Sequence, residues 1–335
     1  MTRIDPAIRI AVPEAVDPAV FRSFDGSAPV IHLAGETMGT TWQVRAAMPS
    51  SLKVGQDEVR AFVQARLDEI VADMSHWEPQ SQLSRFNRAD AGTAFALSSD
   101  FAAVMASALA IAEASDGAFD PAIGRLTDVW GLGSRQTTTD PTQADIAQCL
   151  AQSGWRKLGF DEHRRSLHQP GGVWLDLSGI AKGFSVDAVA DMLAEHGIRH
   201  AFVEIGGECA GRGLRPDGDP WWVDIENPPN TRLPTLRIAL HQLSIATSGD
   251  YLRGGHTLDP RTGRPAIHQT TAVSVLHPSC MQADGWATAL GVLHHDAAER
   301  LAVRHGLMAR IVLRDGREWL SPALAAMVVT DAAAA

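Results

Sequence analysis

The stretch Trp174-Leu175-Asp176-Leu177-Ser178-Gly179-Ile180-Ala181-Lys182-Gly183 opens a helix whose apolar residues Val186, Val189, Ala190 and Leu193 recur at helical spacing. It sets one Asp inside an apolar run, then small residues, then a Lys. Read as a strand-to-helix turn, it exposes free backbone N–H groups at a positive dipole end, a seat for an anion such as a phosphate. Lys182 in the first turn is unfavourable against the helix dipole unless an anion sits beside it. A plain turn with a solvated Lys fits these residues equally well. The stretch is neither a Walker A loop nor a GxGxxG fingerprint, so the usual nucleotide folds are not indicated.

Around this stretch, 335 residues with 45% hydrophobic content can bury a sizeable core, in one large domain or two intimate ones. A net charge of −10 without a basic stripe argues against nucleic acid or an anionic membrane as the main partner. Cys149, Cys209 and Cys280 lack CxxC spacing, which excludes a disulfide scaffold or a structural zinc site. No run of about 18 apolar residues occurs, so no transmembrane segment is expected. Residues 1–30 show neither a signal peptide nor a Cys that could accept a lipid, and read as a poorly structured arm. The expected location is cytoplasmic as the sequence stands, or periplasmic if the true start lies upstream.

Helical periodicity marks about Gln56–Ser75 and a second helix starting near Ser98-Ser99-Asp100. Strand candidates follow at Ala201–Ile205, Trp221–Ile225, Leu236–Leu240, Leu243–Ala246, Thr271–Leu276 and Ala309–Leu313, the last ending in the hairpin signal Arg314-Asp315-Gly316. Asp284–Leu293 reads as helical, and residues 326–335 as a fraying tail. Helices dominate early and strands late with little βαβ alternation, so the fold class is α+β.

Several polar and glycine-bearing segments could carry chemistry. Met74–Asn87 is a polar loop with an aromatic ring and an Arg; Asp116-Gly117-Ala118-Phe119-Asp120-Pro121 is a tight turn with two carboxylates. Gly206-Gly207-Glu208 follows a strand, Thr247-Ser248-Gly249-Asp250-Tyr251 leads to His256–Gly263, and Asp284 and Thr288 share one helical face. Each has an ordinary reading: Trp77 and Phe119 as packing, Asp-Pro pairs as turns, His256 as a loop residue. Two oxygen side chains alone cannot hold Mg²⁺.

Taken in order, and with Glu36-Thr37-Met38-Gly39-Thr40, these segments resemble the FAD:protein FMN transferase (ApbE-like) family over residues 31–325. The resemblance implies a single large α+β flavin-transferase domain with an antiparallel or mixed sheet packed by helices. It implies FAD as substrate, Mg²⁺, and transfer of the FMN moiety onto a Thr or Ser hydroxyl of an acceptor flavoprotein, with release of AMP. Carried over, the metal site would comprise Gly179, Asp284, Ala287 and Thr288. FAD contacts would fall on Met38, Trp77, Ala118, Phe119, Asp120, Asp176, Lys182 and Leu258. His256 would be the general base, a task that a near-neutral pKa suits. Departures from the family pattern are Trp77 where Tyr is common, Arg125 where Pro is usual, Glu208 where Asp or Asn is commoner, Gly285 where Ala is usual, and a shortened segment before His256. The rival readings are an FAD pyrophosphatase using water at the same site, and a non-catalytic flavin-binding protein.

Overall fold

The computed structural model describes residues 8–329 apart from 136, 138, 230, 250–256 and 267–268. His256 therefore lies outside the described residues. The centre of the fold is an eight-stranded sheet whose strands follow one another in chain order: β1 (Val30–Thr37), β2 (Thr40–Ala47), β3 (Ala201–Ile205), β4 (Glu208–Arg212), β5 (Leu243–Gly249), β6 (Thr270–His277), β7 (Met308–Leu313) and β8 (Glu318–Leu320). Every neighbouring pair is antiparallel. The turns β1–β2, β3–β4 and β7–β8 and the start and finish of the β5–β6 connection therefore share one end of the sheet.

Side chains alternate between two buried faces. Val203, Ile205, Ala210, Ala246, Val273, Val275 and Ile311 point to the helices; Phe202, Cys209, Ile245 and Leu276 point the other way, onto a small sheet built from Arg9–Ala11, Trp221–Ile225 and Leu236–Leu240. The helical layer comprises α1 (Gln56–Met74), α2 (Ser99–Ala114), α3 (Ala181–Glu195), α4 (Cys280–Val292) and α5 (His295–Arg304). α3 lies over β3 and β4 and against α4, which lies over β5 and β6. Among the described residues, no helix is long and apolar enough to cross a membrane.

The expected α+β class is what the structure has, and the strand readings at β3, β5, β6 and β7 lie within a residue or a few of the observed bounds. Four differences stand out. Where the sequence reads residues 1–30 as an arm, Arg9–Ala11 pairs in parallel with Leu236–Ile238, and Arg9 is bound by Glu318 at 2.6 and 2.7 Å. At the other end of the chain, Val328 bridges to Ala11, so part of the expected tail is also paired. Trp174–Leu177 forms no strand; it is an extended segment held by side chains and turns. Finally, α4 begins at Cys280, four residues before the expected start, because Ser279 caps it by accepting from Gln282 N.

Candidate active site

Two turns at the shared end of the sheet carry left-handed backbone. Gly206 and Gly207 (φ 60° and 103°) close β3 onto β4, a conformation glycine adopts without penalty. Met38 and Gly39 (φ 49° and 70°) close β1 onto β2, and a long side chain in that region is strained, as residues at ligand sites often are. The Met38 sulfur accepts from Ser185 Oγ at 3.7 Å, which leans the turn against α3.

The decisive stretch is tied down from three sides. The Asn87 amide donates to Leu175 O at 3.1 Å and accepts from Leu175 N at 2.7 Å. Asp176 N donates to Pro121 O at 2.9 Å, and Gly124 N to Trp174 O at 2.9 Å. The buried Asp176 carboxylate accepts from Thr127 Oγ1 at 2.5 Å and from Ser178 N at 2.8 Å, with His76 Nδ1 at 4.0 Å. His76 leans on Trp77, whose ring is 60% exposed and open to a stacking partner.

Ala118 and Phe119 are buried, with Phe119 N donating to Ser115 Oγ at 3.1 Å. Phe119 packs beside Gly179 rather than presenting a free face. Asp120 uses both oxygens locally, accepting from Ala122 N at 2.8 Å and Trp155 N at 3.1 Å. Burial pushes its carboxyl up to about 6, against the pull of those two bonds. Leu258 is buried with Ile146 and Leu126, and Leu126 precedes Thr127, the residue that bonds Asp176.

On the facing side, α3 and α4 meet almost without separation. A methyl group on Gly183 would lie 2.3 Å from Cys280 O and 2.7 Å from Asp284 Cβ. That closeness lets Gly183 N donate to Asp284 Oδ2 at 2.9 Å. Two turns along α4 from Cys280, Thr288 Oγ1 donates to Gly179 O at 3.3 Å, and Ala287 is buried beside it. The expected metal residues Gly179, Asp284, Ala287 and Thr288 thus come together from one turn and one helix.

Lys182 is half-buried and does not stand alone: it forms an ion pair with Glu208, delivered by the Gly206-Gly207 turn. Burial pushes the Glu208 carboxyl up to about 7, with the Lys182 ammonium opposing and Asp284 reinforcing that rise. Asp284 is likewise raised by burial. Burial works against the Lys182 ammonium, and the two carboxylates more than offset it. Two buried carboxylates thus share one ammonium, and Glu208 Oε2 is buried without a hydrogen-bond partner. The donor set of Asp284, Thr288 and the Gly179 carbonyl is entirely hard oxygen, and the local surplus is negative. Both features suit a divalent cation such as Mg²⁺.

Sequence reasoning alone missed Thr127 and Asn87 as the braces of the Asp176 segment; neither has a local signal, since both act on residues 49 and 88 positions away. It noted Glu208 as the end of a glycine-bearing segment and as a departure, but gave it no partner, although a carboxylate directly after two glycines at a strand end could have been paired with the unexplained Lys182.

Comparisons with known proteins agree with this geometry. The sequence profile described as the ApbE family matches residues 38–311. Among curated proteins, one named FAD:protein FMN transferase from Haemophilus influenzae is 35% identical over 303 residues, covering 85% of this chain and 87% of the relative. Its namesake from Salmonella typhimurium is 31% identical over 315 residues, covering 89% of each. Among solved structures, the flavin transferase ApbE from Vibrio cholerae superposes with a TM-score of 0.84 at 33% identity, covering 90% of this chain and 99% of that one. The apo flavinyl transferase ApbE of Pseudomonas stutzeri gives 0.83 at 31% identity, covering 90% and 98%. With the profile spanning most of the chain and relatives above 30% identity along nearly their whole length, the chain belongs to the ApbE family.

Proposed function

We propose that this protein is an FAD:protein FMN transferase that uses Mg²⁺ and moves the FMN moiety of FAD onto a Thr or Ser hydroxyl of an acceptor flavoprotein, releasing AMP. The observation that carries the reading is the oxygen-lined junction of α3 and α4, where Asp284, Thr288 and Gly179 O gather beside the Lys182–Glu208 pair. The names of the relatives supply the reaction class.

In this reading the exposed Trp77 ring offers a stacking face for FAD, with Met38 supplying apolar surface at the strained turn. Asp176, held by Thr127 and Ser178 N, presents a fixed carboxylate beside it. Asp120 braces the turn that carries Phe119 against Gly179. Lys182 sits one turn from Gly179 and supplies positive charge to the diphosphate. Asp284, Thr288 and the Gly179 carbonyl, with Ala287 beside them, would hold Mg²⁺, which when bound neutralises charge developing on the phosphate oxygens.

The acceptor hydroxyl oxygen attacks the FMN-side phosphorus, forming a phosphoester bond as the bond from that phosphorus to the bridging oxygen breaks. AMP leaves with the electron pair. His256 takes the hydroxyl proton. Positioning and charge neutralisation do most of the work in such phosphoryl transfers.

The test combines purified protein, FAD and Mg²⁺ with a candidate acceptor flavoprotein, following AMP release and the acceptor's intact mass with an EDTA control. An FMN adduct formed only with metal is expected. AMP and free FMN with no adduct, across acceptors that carry a Thr or Ser site, would replace the reading by FAD hydrolysis. Intact FAD in every condition would leave a flavin-binding protein.

A further inference from the structure

Asp187 lies one helical turn beyond Gly183 on α3 and is used by none of the steps above. Its carboxylate takes four hydrogen bonds. Oδ1 accepts from Cys280 N at 2.9 Å and Arg212 Nη2 at 3.1 Å; Oδ2 accepts from Ser279 Oγ at 2.7 Å and Met281 N at 3.0 Å. Cys280 N and Met281 N are the first two backbone donors of α4, which no carbonyl of their own helix can satisfy. A negative charge there also meets the positive end of the helix dipole.

Arg212 extends the bracket into the sheet. Its Nη1 donates to Leu243 O at 3.3 Å and Ser244 Oγ at 3.2 Å, and its Nη2 donates to Pro278 O at 3.1 Å. One carboxylate therefore joins α3, the end of β4, the start of β5 and the first turn of α4.

Gly183 and Asp187 are four residues apart on α3; Cys280 and Asp284 are four apart on α4. The helices are thus connected by two rungs one turn apart: Asp187 to Cys280 and Met281, and Gly183 N to Asp284. The rungs run in opposite senses, with α3 accepting in the first and donating in the second. Together they leave α4 little freedom to slide or turn, and Asp284 and Thr288 stand one and two turns from the capped end.

We propose that Asp187 is a positioning residue for the metal site: by holding the first turn of α4 against α3, it sets where Asp284 and Thr288 stand relative to the Gly179 carbonyl. This rests on the reading of those three groups as the cation ligands. A helix cap with no further role would contribute stability alone, and Mg²⁺ affinity separates the two roles.

The experiment titrates Mg²⁺ into the full chain and reads two midpoints, the metal-induced rise in Tm without FAD and AMP release from FAD. The variants are Asp187→Asn and Ser279→Ala, with Ile238→Ala in the small sheet on the other face as a control destabilised elsewhere. Asp187→Asn should raise both midpoints on the order of tenfold, the usual effect of disturbing a residue that orients metal ligands. Its kcat at saturating Mg²⁺ should stay within about twofold, because the loss is one of binding. Ser279→Ala removes one bond to Asp187 together with the cap on Gln282 N, both at the first turn of α4, and should move both midpoints the same way by about threefold, so the idea stays testable if Asp187→Asn folds poorly. Ile238→Ala should lower Tm and leave both midpoints unmoved. A lowered Tm with wild-type midpoints in both Asp187→Asn and Ser279→Ala would overturn the positioning role. A wild-type chain indifferent to Mg²⁺, or an Asp284→Ala variant with the full response, would overturn the metal reading itself.

Discussion

Gly183→Ala is the substitution that most directly probes how the two halves of the site are joined. Helix propensity alone favours Ala over Gly by about 1 kcal/mol in a helix interior. Packing says the opposite. The added methyl would lie 2.3 Å from Cys280 O and 2.7 Å from Asp284 Cβ, where ordinary contact begins near 3.4 Å. Both obstacles belong to α4, one of them to its backbone, so no side-chain rotation relieves the clash. The helices must separate by roughly 1 Å, and overpacking of this kind costs about 1–3 kcal/mol.

The same shift stretches the 2.9 Å bond from Gly183 N to Asp284 past hydrogen-bonding distance. Losing a bond to a charged group adds about 1.5–3 kcal/mol. After subtracting the propensity gain, the net cost is about 2–5 kcal/mol. For 335 residues the unfolding entropy is roughly 0.7 kcal/mol per degree, so Tm should fall by about 3–7 °C. Activity should fall further, because a displacement of about 1 Å at a phosphoryl-transfer site can cost on the order of a hundredfold. Differential scanning calorimetry and AMP release measure the two effects. Gly55→Ala is the control: its methyl would meet nothing within 4 Å, and its φ of −78° suits any residue. A Gly183→Ala protein as stable as wild type, or more so, would refute the packing argument, since propensity would then have won.

Three further expectations follow from named contacts. Asp284→Asn keeps an acceptor for Gly183 N while removing a charge that burial disfavours, so its Tm in EDTA should equal or exceed that of wild type. Its Tm rise with Mg²⁺ and its AMP release should both be lost; melting curves with and without metal check this. Asp120, pushed up to about 6 from 3.8, binds a proton more tightly folded than unfolded. Its contribution to stability is therefore full below about pH 4 and fades by about 3 kcal/mol as pH rises through 6. Asp120→Asn should flatten that part of the stability-pH profile between pH 4 and 7, and an unchanged slope would remove the assignment. Glu318 lies between Arg9 and Arg310, accepting at 2.6 Å from each, and Arg310 is only 1% exposed. Glu318→Gln should cost about 3–5 kcal/mol in guanidinium unfolding, the penalty for breaking a buried ion pair from one side.

What could be read from the sequence divides by the range of the interactions involved. β3, β5, β6 and β7 alternate or run apolar over five or more residues because both sheet faces are buried, and that pattern is local. α3 repeats Val186, Val189, Ala190 and Leu193 at helical spacing, α4 is apolar nearly all round as a helix buried between layers is, and Asp284 and Thr288 share a face by spacing alone. The β1–β2 hairpin was legible only as a motif. Its turn puts Met38 where Asn or Gly would be expected, and its strands mix exposed polar residues with apolar ones. The strand at Arg9–Ala11 has three residues and pairs with a segment more than 220 positions away, which no local signal encodes. Lys182 was read either as a charge seated beside an anion or as a solvated turn residue. The resident partner is Glu208, because the Gly206-Gly207 turn brings β4 back beneath α3. Phe119 and Leu258, expected among the FAD contacts, are buried, Phe119 beside Gly179 and Leu258 with Leu126 and Ile146.

The charge balance of the junction links its stability to the proposed chemistry. With Glu208 ionised, Lys182, Glu208 and Asp284 sum to one surplus negative charge in a buried place. Such a site repels the diphosphate of FAD and costs folding free energy, which is why burial raises both carboxyl groups. A divalent cation held by Asp284 would turn that surplus into one net positive charge, and the same side chains would then attract the diphosphate. In the proposed reaction the metal and the dinucleotide would then be coupled ligands, each favouring the other. Replacing Asp284 by Asn would remove that surplus and make a more stable protein, but the sign reversal would be lost with it. The two rungs between α3 and α4, and the missing side chain at Gly183 that allows them, hold Asp284 in this unfavourable place, which in the proposed reaction the cation would relieve.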